Sequence, residues 1–321
     1  MTTTDRVRWG ILGTARINDS ILDGARGSAR AEIVAVASRD AGHAAAYAAQ
    51  HGISIAHGSY EALLADPSIE AVYISLPNSL HHPWTMAALR AGKHVLCEKP
   101  YSRRPADVEE AFDLAEARGL VLAEAFMWRQ TPLVSRLVAE LPSVGTLQLV
   151  RASFSFHLRD EGDIRVRADL DGGSLMDVGC YTVSAARLLA GEEPAEVLGA
   201  SEVDAAGVDR RFAGILRFPG GVIAQIASGL TTDHRGIDAI GMEGSFRLPD
   251  PWHGRPSAIV RGDGQTVELD RSDPYALEID DLSGAIRDGR APLLGRADAL
   301  GQSRTIAALY EAAATGRAVR P

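Results

Sequence analysis

The sequence contains little cysteine: Cys97 and Cys180 are the two cysteines among 321 residues. Two cysteines are too few for a disulfide framework, so the sequence predicts a protein of the reducing cytoplasm. No apolar run approaches the roughly 18 residues that a membrane span needs. The polar residues 1–8 lack the apolar core of a secretory signal. These absences predict a soluble cytoplasmic protein without a membrane partner.

The sequence also lacks a basic run, because 33 lysines and arginines are outnumbered by 42 acidic residues, for a formal net charge of −9. A negative surface repels nucleic acids and anionic lipids, so neither is an expected partner. The nine histidines are scattered, and no cysteine, histidine and glutamate set has the spacing of a zinc site, so no metal is predicted. The chain is long enough for two domains with a substantial core.

The first 125 residues alternate strand and helix patterns, beginning with the apolar run Val7–Leu12 and the helical spacing of Ile17–Arg26. This alternation predicts an α/β fold whose doubly wound parallel sheet is covered on both faces. After Arg129 the pattern changes to a helix over Ser174–Ala190, which Gly191 is expected to end, and to strands separated by turn residues. Asp273 as N-cap and Pro274 at the first helical position predict a closing helix. We therefore predict a nucleotide-binding domain over residues 1–128 and an α+β domain with a large, mostly antiparallel open sheet over residues 129–321. The later predicted strands are Leu147–Phe156, Arg211–Phe218, Val222–Ser228, Ser245–Leu248, Ser257–Val260 and Thr266–Leu269, with a hairpin turn at Pro219-Gly220-Gly221.

A glycine-containing turn, Gly10-Ile-Leu-Gly13-Thr14-Ala15-Arg16-Ile17, joins the first strand to the first helix. Backbone N–H groups at such a helix N-terminus suit a pyrophosphate. Against the G-x-G-x-x-G pattern, Gly13 matches the first glycine, whereas Ala15 and Asn18 occupy the second and third positions. The motif predicts a dinucleotide site, and a tight turn that needs one glycine for structure alone is the alternative.

The second strand ends in Ser38 and Arg39, where an NAD-preferring protein places an acidic residue on the ribose 2′-hydroxyl. A hydroxyl and a guanidinium at this position suit a 2′-phosphate, with which arginine forms charged bidentate hydrogen bonds. We predict NADP(H) in preference to NAD(H). Asp40 comes one residue later and is expected to cap the next helix.

The predicted strand within His94–Pro100 places Lys99 at the C-terminal edge of the parallel sheet, where ligands of doubly wound folds bind. Far downstream, Asp177 and Tyr181 lie four residues apart in a predicted helix and share a face. We predict Tyr181 as general acid and base, with Lys99 favouring the phenolate and holding the substrate oxygen. Asp177 would orient the substrate or keep the lysine charged. Lys99 as proton donor and Tyr181 as a core residue are the alternatives.

With these motifs in place, the chain resembles the glucose–fructose oxidoreductase, inositol dehydrogenase and rhizopine catabolism family, Gfo/Idh/MocA. The resemblance spans the chain and is carried by five segments. It implies a Rossmann domain, an open-sheet second domain and a cis Lys99–Pro100 peptide. Tyr181 replaces the histidine of the inositol dehydrogenase type and is similar to the branch of NADP-dependent aldose and dihydrodiol dehydrogenases. The segments are Trp9–Ile17, Val72–Asn78 with His81, Gly92–Pro100, Ala123–Arg129 and Gly172–Tyr181.

The resemblance also implies positions around the cofactor. Thr14, Ala15, Arg16 and Ile17 would follow Gly13 along the dinucleotide. The nicotinamide side would be formed by Leu76, Asn78 and His81 at the nicotinamide ribose, Glu98 near the nicotinamide, and Trp128 and Arg129 at the domain junction.

The charged loop between Arg159 and Arg167 is predicted to border the substrate through Asp163 and Arg165, with a solvated loop as the alternative. Together these features predict an NADP(H)-dependent oxidoreductase acting on a sugar or related polyhydroxylated ring, of the aldose 1-dehydrogenase type. The alternatives are a trans-dihydrodiol dehydrogenase, a keto-sugar nucleotide reductase, and a non-catalytic NADP-binding regulator. The open sheet predicts a homodimer or homotetramer, since one face needs cover.

Overall fold

The computed structural model describes residues 6–253, 258–269 and 272–321. The chain forms two compact units, which are not continuous in sequence. The first unit comprises the described residues of Met1–Ser102 together with Ala106–Gln130 and Asp273–Leu300. The second comprises Arg103–Pro105, the described residues of Thr131–Ser272, and Gly301–Pro321.

A six-stranded sheet forms the centre of the first unit, and each strand is parallel to its neighbours. Its strands are β1 (Val7–Leu12), β2 (Ala31–Ala37), β3 (Ile55–His57), β4 (Ala71–Ile74), β5 (His94–Glu98) and β6 (Leu122–Ala125). Their spatial order is β3-β2-β1-β4-β5-β6. The order reverses between β1 and β4, and ligands of such sheets bind beyond the carboxyl ends of the strands at this switch point.

Helices cover both faces of this sheet, which confirms the predicted doubly wound fold. Neighbouring strand residues enter opposite apolar clusters, with Ile11 and Tyr73 in one and Leu12 and Ile74 in the other. Two-sided burial explains why these strands read as continuous apolar runs. The helices are α1 (Asn18–Gly27), α2 (Ala41–His51), α3 (Tyr60–Ala65), α4 (His81–Arg90) and α5 (Pro105–Ala117), with α8 (Pro274–Asp288) from the far end of the chain.

Helix α8 packs within the first unit, although it lies far from β1 in sequence. An ideal Cβ on Gly24 of α1 would lie 2.6 Å from the Ala276 nitrogen, so the two helices approach closely at this glycine. The indole nitrogen of Trp9 donates to Ser283 Oγ at 3.0 Å. The predicted single division after residue 128 differs from this arrangement, because neither long-range contact leaves a local signal in the sequence.

An eight-stranded sheet forms the second unit, in the order β14-β13-β12-β11-β7-β10-β9-β8. The neighbouring strands are antiparallel except for β7 and β10, as the predicted mostly antiparallel sheet requires. The strands are β7 (Leu147–His157), β8 (Glu196–Val203), β9 (Asp209–Arg217), β10 (Ile223–Gly229), β11 (Thr231–Gly241), β12 (Ser245–Leu248), β13 (Ile259–Arg261) and β14 (Thr266–Val267). The helices are α6 (Pro132–Glu140) and α7 (Cys180–Ala190), and α9 (Arg296–Thr315) ends in this unit.

The hairpin turn predicted at residues 219–221 is confirmed, since Phe218 donates its N–H to the Val222 carbonyl and β9 pairs with β10. Strands β8 and β11 were not among the predicted strands. The predicted strand Ser257–Val260 begins outside the described residues, and β13 occupies its end. The continuous helix predicted from Ser174 is corrected to a π-helical turn, Leu175–Gly179, followed by α7.

Helix α7 packs on β7 and β10, and the strands alternate between buried and exposed residues. In β9, Phe212 and Leu216 are buried, whereas Ile215 is exposed, as is Ile223 in β10. One face of the sheet is therefore open. Among the described residues, no helix combines the length and hydropathy needed to cross a membrane.

Candidate active site

The glycine turn after β1 has a shape that only glycine fits. Gly13 has φ +104°, and a Cβ there would lie 3.0 Å from Leu76 Cδ2. Its N–H donates to the Ala37 carbonyl, and Asn18 donates its side-chain amide to the Gly13 carbonyl at 3.0 Å. Asn18, at the third position of the pattern, thus closes the turn from the first residue of α1. The positive φ and the close approach of Leu76 together explain why this position is a glycine.

The N-terminal turn of α1 follows directly on the glycine turn. The half-buried residues Thr14, Ala15 and Ile17 and the exposed Arg16 lead into the helix. Ile17 is the N-cap and provides no side-chain hydrogen bond to the first backbone N–H groups. The first three N–H groups of α1 donate to the backbone carbonyls of residues 15–17. The positive end of the helix dipole at this terminus favours negative charge, so the turn fits the dinucleotide group that the motif predicts.

The residues predicted to contact the ribose 2′-phosphate of the cofactor follow the end of β2. Arg39 is exposed and Ser38 is half-buried. Asp40 accepts the His43 N–H at 2.6 Å, which confirms its predicted role as the cap of α2. The His43 ring nitrogen Nε2 lies 3.0 Å from Thr14 Oγ1. This hydrogen bond links the glycine turn to the start of α2, beside the residues expected to hold a 2′-phosphate.

The segment after β4 holds the residues expected at the nicotinamide ribose. Leu76 is nearly buried, and Asn78 begins a 3-10 turn, Asn78–Leu80. His81 is 1% exposed, and its ring nitrogens lie 3.0 Å from the Pro100 carbonyl and 2.8 Å from the Leu76 carbonyl. Burial lowers the pKa of His81, while the two carbonyls act in the opposite direction. These contacts join two loops through the His81 ring, and the place of His81 at the nicotinamide ribose stays a prediction.

Lys99 follows β5 and is held through its neighbours. The Lys99 N–H donates to Glu98 Oε2 at 3.2 Å, and Tyr73 donates its hydroxyl to the other oxygen of Glu98. The Lys99–Pro100 peptide is cis, which confirms the expectation from the family resemblance. Burial and the neighbouring Glu98 raise the pKa of Tyr73 well above its usual value, so Tyr73 is a stable donor to this carboxylate.

Glu278 of α8 is a group that the sequence analysis missed. It is 3% exposed, and neither carboxylate oxygen has a hydrogen-bond partner among the described residues. Burial and the nearby Glu98 raise the pKa of Glu278 well above its usual value. Asp273 and Pro274 signal the start of α8, but no local pattern places the Glu278 carboxyl near Glu98.

Trp128 and Arg129 lie in a 3-10 turn, Met127–Gln130, that follows β6. Trp128 is fully buried, and the Arg129 guanidinium lies 6.0 Å from its ring centroid. Arg129 also pairs with Asp298 at 3.3 Å. These contacts fix the Arg129 side chain within the first unit, after the edge strand β6.

The second unit brings the three charged residues predicted at the substrate together. Arg165 donates Nε to Asp177 Oδ2 at 2.8 Å and Nη1 to Asp163 Oδ1 at 3.1 Å. The two carboxylates, Asp177 first, raise the pKa of the Arg165 guanidinium above its usual value. The loop is thus an organised ion-pair cluster, with the Arg165 side chain 40% exposed and both carboxylates largely buried.

Tyr181 is the second residue of α7, which follows the π-helical turn that contains Asp177. Such π-turns are frequent at functional sites. The Tyr181 ring packs edge-on against Phe154 and Trp252, with centroid distances of 5.3 and 5.9 Å. Gln302 donates to the Cys180 carbonyl at 2.7 Å and secures the start of the helix. Tyr181 is therefore a rigid phenol on an aromatic wall.

Both cysteines are buried thiols, as their apolar neighbours in sequence predict. Within the described ranges, no group of three or more metal-ligating side chains is close enough to hold an ion. Two further acidic residues that sequence reasoning missed, Asp171 and Asp209, are buried around the glycine pair before Asp177.

The fold and these residues define an oxidoreductase built on a dinucleotide-binding Rossmann unit. The chain belongs to the Gfo/Idh/MocA family: residues 7–126 match the model of the oxidoreductase family with its NAD-binding Rossmann fold, and residues 138–247 match that of the C-terminal domain.

Known proteins similar to this chain include D-xylose 1-dehydrogenase (NADP(+)) 2 of Haloferax volcanii, which is 40% identical over 97% of this chain and 98% of that protein. The trans-1,2-dihydrobenzene-1,2-diol dehydrogenase of Bos taurus is 33% identical over 82% of this chain and 80% of its own length. The crystal structure of KijD10, a 3-ketoreductase from Actinomadura kijaniata with NADP and TDP-benzene, superposes with a TM-score of 0.90 at 29% identity, covering 96% of this chain and 98% of that one.

Proposed function

We propose that this protein is an NADP(H)-dependent oxidoreductase that transfers a hydride between the nicotinamide and a carbon of a sugar or related polyhydroxylated ring, of the aldose 1-dehydrogenase type. The observation that carries this proposal is the ion-pair cluster of Asp163, Arg165 and Asp177, which precedes Tyr181 in the second unit. Fixed carboxylates and a guanidinium are suitable partners for several hydroxyl groups on one ring. The name of the Haloferax relative supports an aldose and NADP.

The cofactor would be held by the turn from Gly13 to Ile17 at the pyrophosphate and by Ser38 and Arg39 at the adenosine 2′-phosphate. A charged hydrogen bond is worth about 1.5–3 kcal/mol, so Arg39→Ala should weaken NADPH binding about 10- to 100-fold. NADH lacks the phosphate, and its affinity should stay within about twofold of the wild type.

The measurement is fluorescence titration with both reduced cofactors. Arg16→Ala is the matched control, since this exposed arginine lies at the turn common to both dinucleotides and should affect both affinities alike. Unchanged NADPH affinity in Arg39→Ala would overturn the preference for NADP(H).

When bound, the nicotinamide accepts or supplies the hydride, so the protein must orient the substrate and move one proton. We assign that proton to the Tyr181 hydroxyl, with the Lys99 ammonium holding the substrate oxygen. Because Arg165 occupies Asp177 Oδ2, Asp177 is a fixed acceptor suited to orient a neighbouring hydroxyl. Lys99 as proton donor remains the alternative assignment.

Tyr181→Phe and Lys99→Ala separate these assignments. General acid–base catalysis contributes about 10²- to 10⁴-fold, so loss of the proton-transfer group should lower kcat by that range without weakening NADPH binding. In the variant that lacks the proton-transfer group, kcat should lose the pH dependence that the ionisation of this group causes. A Lys99→Ala, Tyr181→Phe double variant with wild-type turnover would refute the mechanism.

A spectrophotometric screen with NADP⁺ and NAD⁺ against aldoses, polyols and trans-diols tests the substrate class. Turnover of an aldose with NADP⁺ is the expected result. Turnover confined to trans-diols would favour the activity named for the Bos taurus relative. No turnover of any tested substrate, together with tight NADPH binding, would favour a keto-sugar substrate of the KijD10 kind or a non-catalytic regulator.

We further propose a cytoplasmic homodimer or homotetramer that covers the open sheet face. The exposed Ile215 and Ile223 support this proposal, because they lie diagonally on the same face of two paired strands, and contiguous exposed apolar surface marks interaction sites. Light scattering of the wild type should give a mass at least twice that of one chain. Ile215→Glu with Ile223→Glu should reduce that mass, and a monomeric wild type would exclude the assembly.

A further inference from the structure

The chain that follows Lys99 enters the second unit at Arg103, four residues later. Both arginines at this point pair with one carboxylate. Arg103 Nη2 lies 2.8 Å from Asp171 Oδ1, and Arg104 Nη1 lies 3.2 Å from Asp171 Oδ2. The Asp171 side chain is 10% exposed, whereas the side chains of Arg103 and Arg104 are 39% and 51% exposed, so a largely buried carboxylate holds two partly exposed guanidinium groups.

Asp171 also has an unusual backbone. It is the one non-glycine residue with positive φ, +54°, in the part of the chain that the structure describes. Gly172 and Gly173 follow, and a Cβ on Gly172 would lie 2.5 Å from the Arg165 carbonyl. A left-handed residue persists where surrounding contacts determine it. The two ion pairs are such contacts, and they fix the start of the segment that leads to Asp177.

A second set of contacts joins the same arginine to the same segment. The Arg103 guanidinium lies 5.5 Å from the centroid of the Tyr310 ring, and Tyr310 donates its hydroxyl to Asp209 Oδ1 at 2.9 Å. The other oxygen of Asp209 accepts the Ser174 hydroxyl and the Leu175 N–H, both at 2.8 Å. Leu175 is the first residue of the π-helical turn, so Asp209 anchors the turn that contains Asp177.

We propose that Asp171 and Asp209 are positioning residues that tie the chain leaving Lys99 to the segment bearing Asp177 and Tyr181. This inference rests on the proposed function, because it assumes that Lys99 and Tyr181 serve one reaction. The ion pairs restrain the chain four residues after Lys99 and six residues before Asp177. The Asp209 contacts restrain it again immediately before the π-helical turn. Neither carboxylate needs to touch the substrate.

Asp171→Asn is the informative change. Asparagine tolerates the left-handed conformation and keeps the size of the side chain, so the substitution removes charge without forcing the backbone. Asp169→Asn is the matched control, because Asp169 lies two residues earlier, is 63% exposed and pairs with Arg167. We expect kcat to fall at least tenfold in Asp171→Asn and to stay within twofold in Asp169→Asn. The KM for NADP⁺ should be unchanged in both variants.

Amide hydrogen exchange supplies a readout that does not depend on turnover. In Asp171→Asn, exchange should accelerate both in residues 101–104 and in residues 174–181, with no such paired change in the control. Arg103→Gln should produce the same paired effect, and combining it with Asp171→Asn should add little, since the two residues act as a unit. Arg103→Lys, which keeps the charge, should retain more of the wild-type kcat than Arg103→Gln.

The outcomes separate this proposal from the proposed function. Unchanged exchange in either segment, or a kcat within twofold of the wild type, would overturn the positioning role. Loss of NADPH binding together with kcat would also overturn it, since that result indicates general damage to the fold. If the wild type turns over no sugar, the proposed function fails, and the paired exchange response still decides whether Asp171 joins the two segments.

Discussion

Replacing Gly173 with alanine should destabilise the second unit through two separable effects. Gly173 has φ +130°, a conformation that residues with a side chain rarely adopt. An ideal Cβ there would also overlap Asp209 Oδ1. The carboxylate would have to move, and it would lose its hydrogen bonds with Ser174, Leu175 and Tyr310.

The backbone strain costs about 1–3 kcal/mol, and leaving buried hydrogen-bonding groups unsatisfied costs about 1–3 kcal/mol more. Gly173→Ala should therefore lower the free energy of unfolding by about 2–6 kcal/mol. Total stabilities are typically about 5–15 kcal/mol, so the variant should fold with a clearly weakened second unit. Because Gly173 precedes the turn that carries Asp177, we also expect kcat to fall.

Gly221→Ala is the control for the backbone term. Gly221 has φ +92°, but nothing lies within 4 Å of a Cβ placed there. Scanning calorimetry with and without NADPH identifies the transition of the first unit, which the cofactor stabilises by mass action. In an Asp209→Ala background, the cost of Gly173→Ala should fall to that of Gly221→Ala. If Gly173→Ala costs no more than Gly221→Ala in the wild type, the overlap with Asp209 has no energetic consequence and the reasoning is refuted.

Two further predictions concern the first unit. Gly24→Ala should destabilise it by about 1–3 kcal/mol, because the new methyl group would lie 2.6 Å from the Ala276 nitrogen. Gly27→Ala is the control, since its methyl group has no close neighbour and should be neutral or stabilising by up to about 1 kcal/mol. Calorimetry of the two variants measures the difference, and equal effects would contradict this prediction. Arg287 donates to Glu70 at 2.7 and 2.8 Å and lowers the pKa of that carboxyl. The pair therefore stabilises the fold fully at a pH above the pKa of Glu70 in the unfolded chain, about 4.3. This stabilisation disappears as the pH falls through the lower pKa of Glu70 in the folded protein. The Tm measured from pH 7 to pH 3 should therefore fall less steeply in Glu70→Gln than in the wild type. Equal slopes would contradict this assignment.

The elements that sequence reasoning predicted correctly depend on local physics. The apolar run Val7–Leu12 is β1, because a strand covered on both faces must be apolar throughout. Asp40 and Asp273 cap the helices that follow them, since a side-chain oxygen reaches N–H groups two or three residues ahead. Gly191 ends α7 in a left-handed conformation. Each of these signals lies within a few residues of the feature that it predicts.

The candidate site was predictable in part. Asp163, Arg165 and Asp177 were each chosen for their chemistry, and the structure joins them in one cluster. The His81 ring is buried between two carbonyl groups, contacts that no local pattern in the sequence indicates. Asp209 was missed, because it begins a strand whose alternation explains it without any special role.

The sequence by itself determined the class of the fold, the glycine turn at Gly13 and the family, because periodicity, turn chemistry and short motifs are encoded by neighbouring residues. Only the tertiary structure decided that α8 returns to the first unit, that Glu278 is buried near Glu98, and that Asp171 binds two arginines 67 and 68 residues earlier in the chain. Such contacts depend on how distant surfaces fit together. Tertiary packing therefore decides which charged side chains pair, and a local sequence pattern does not indicate these pairs.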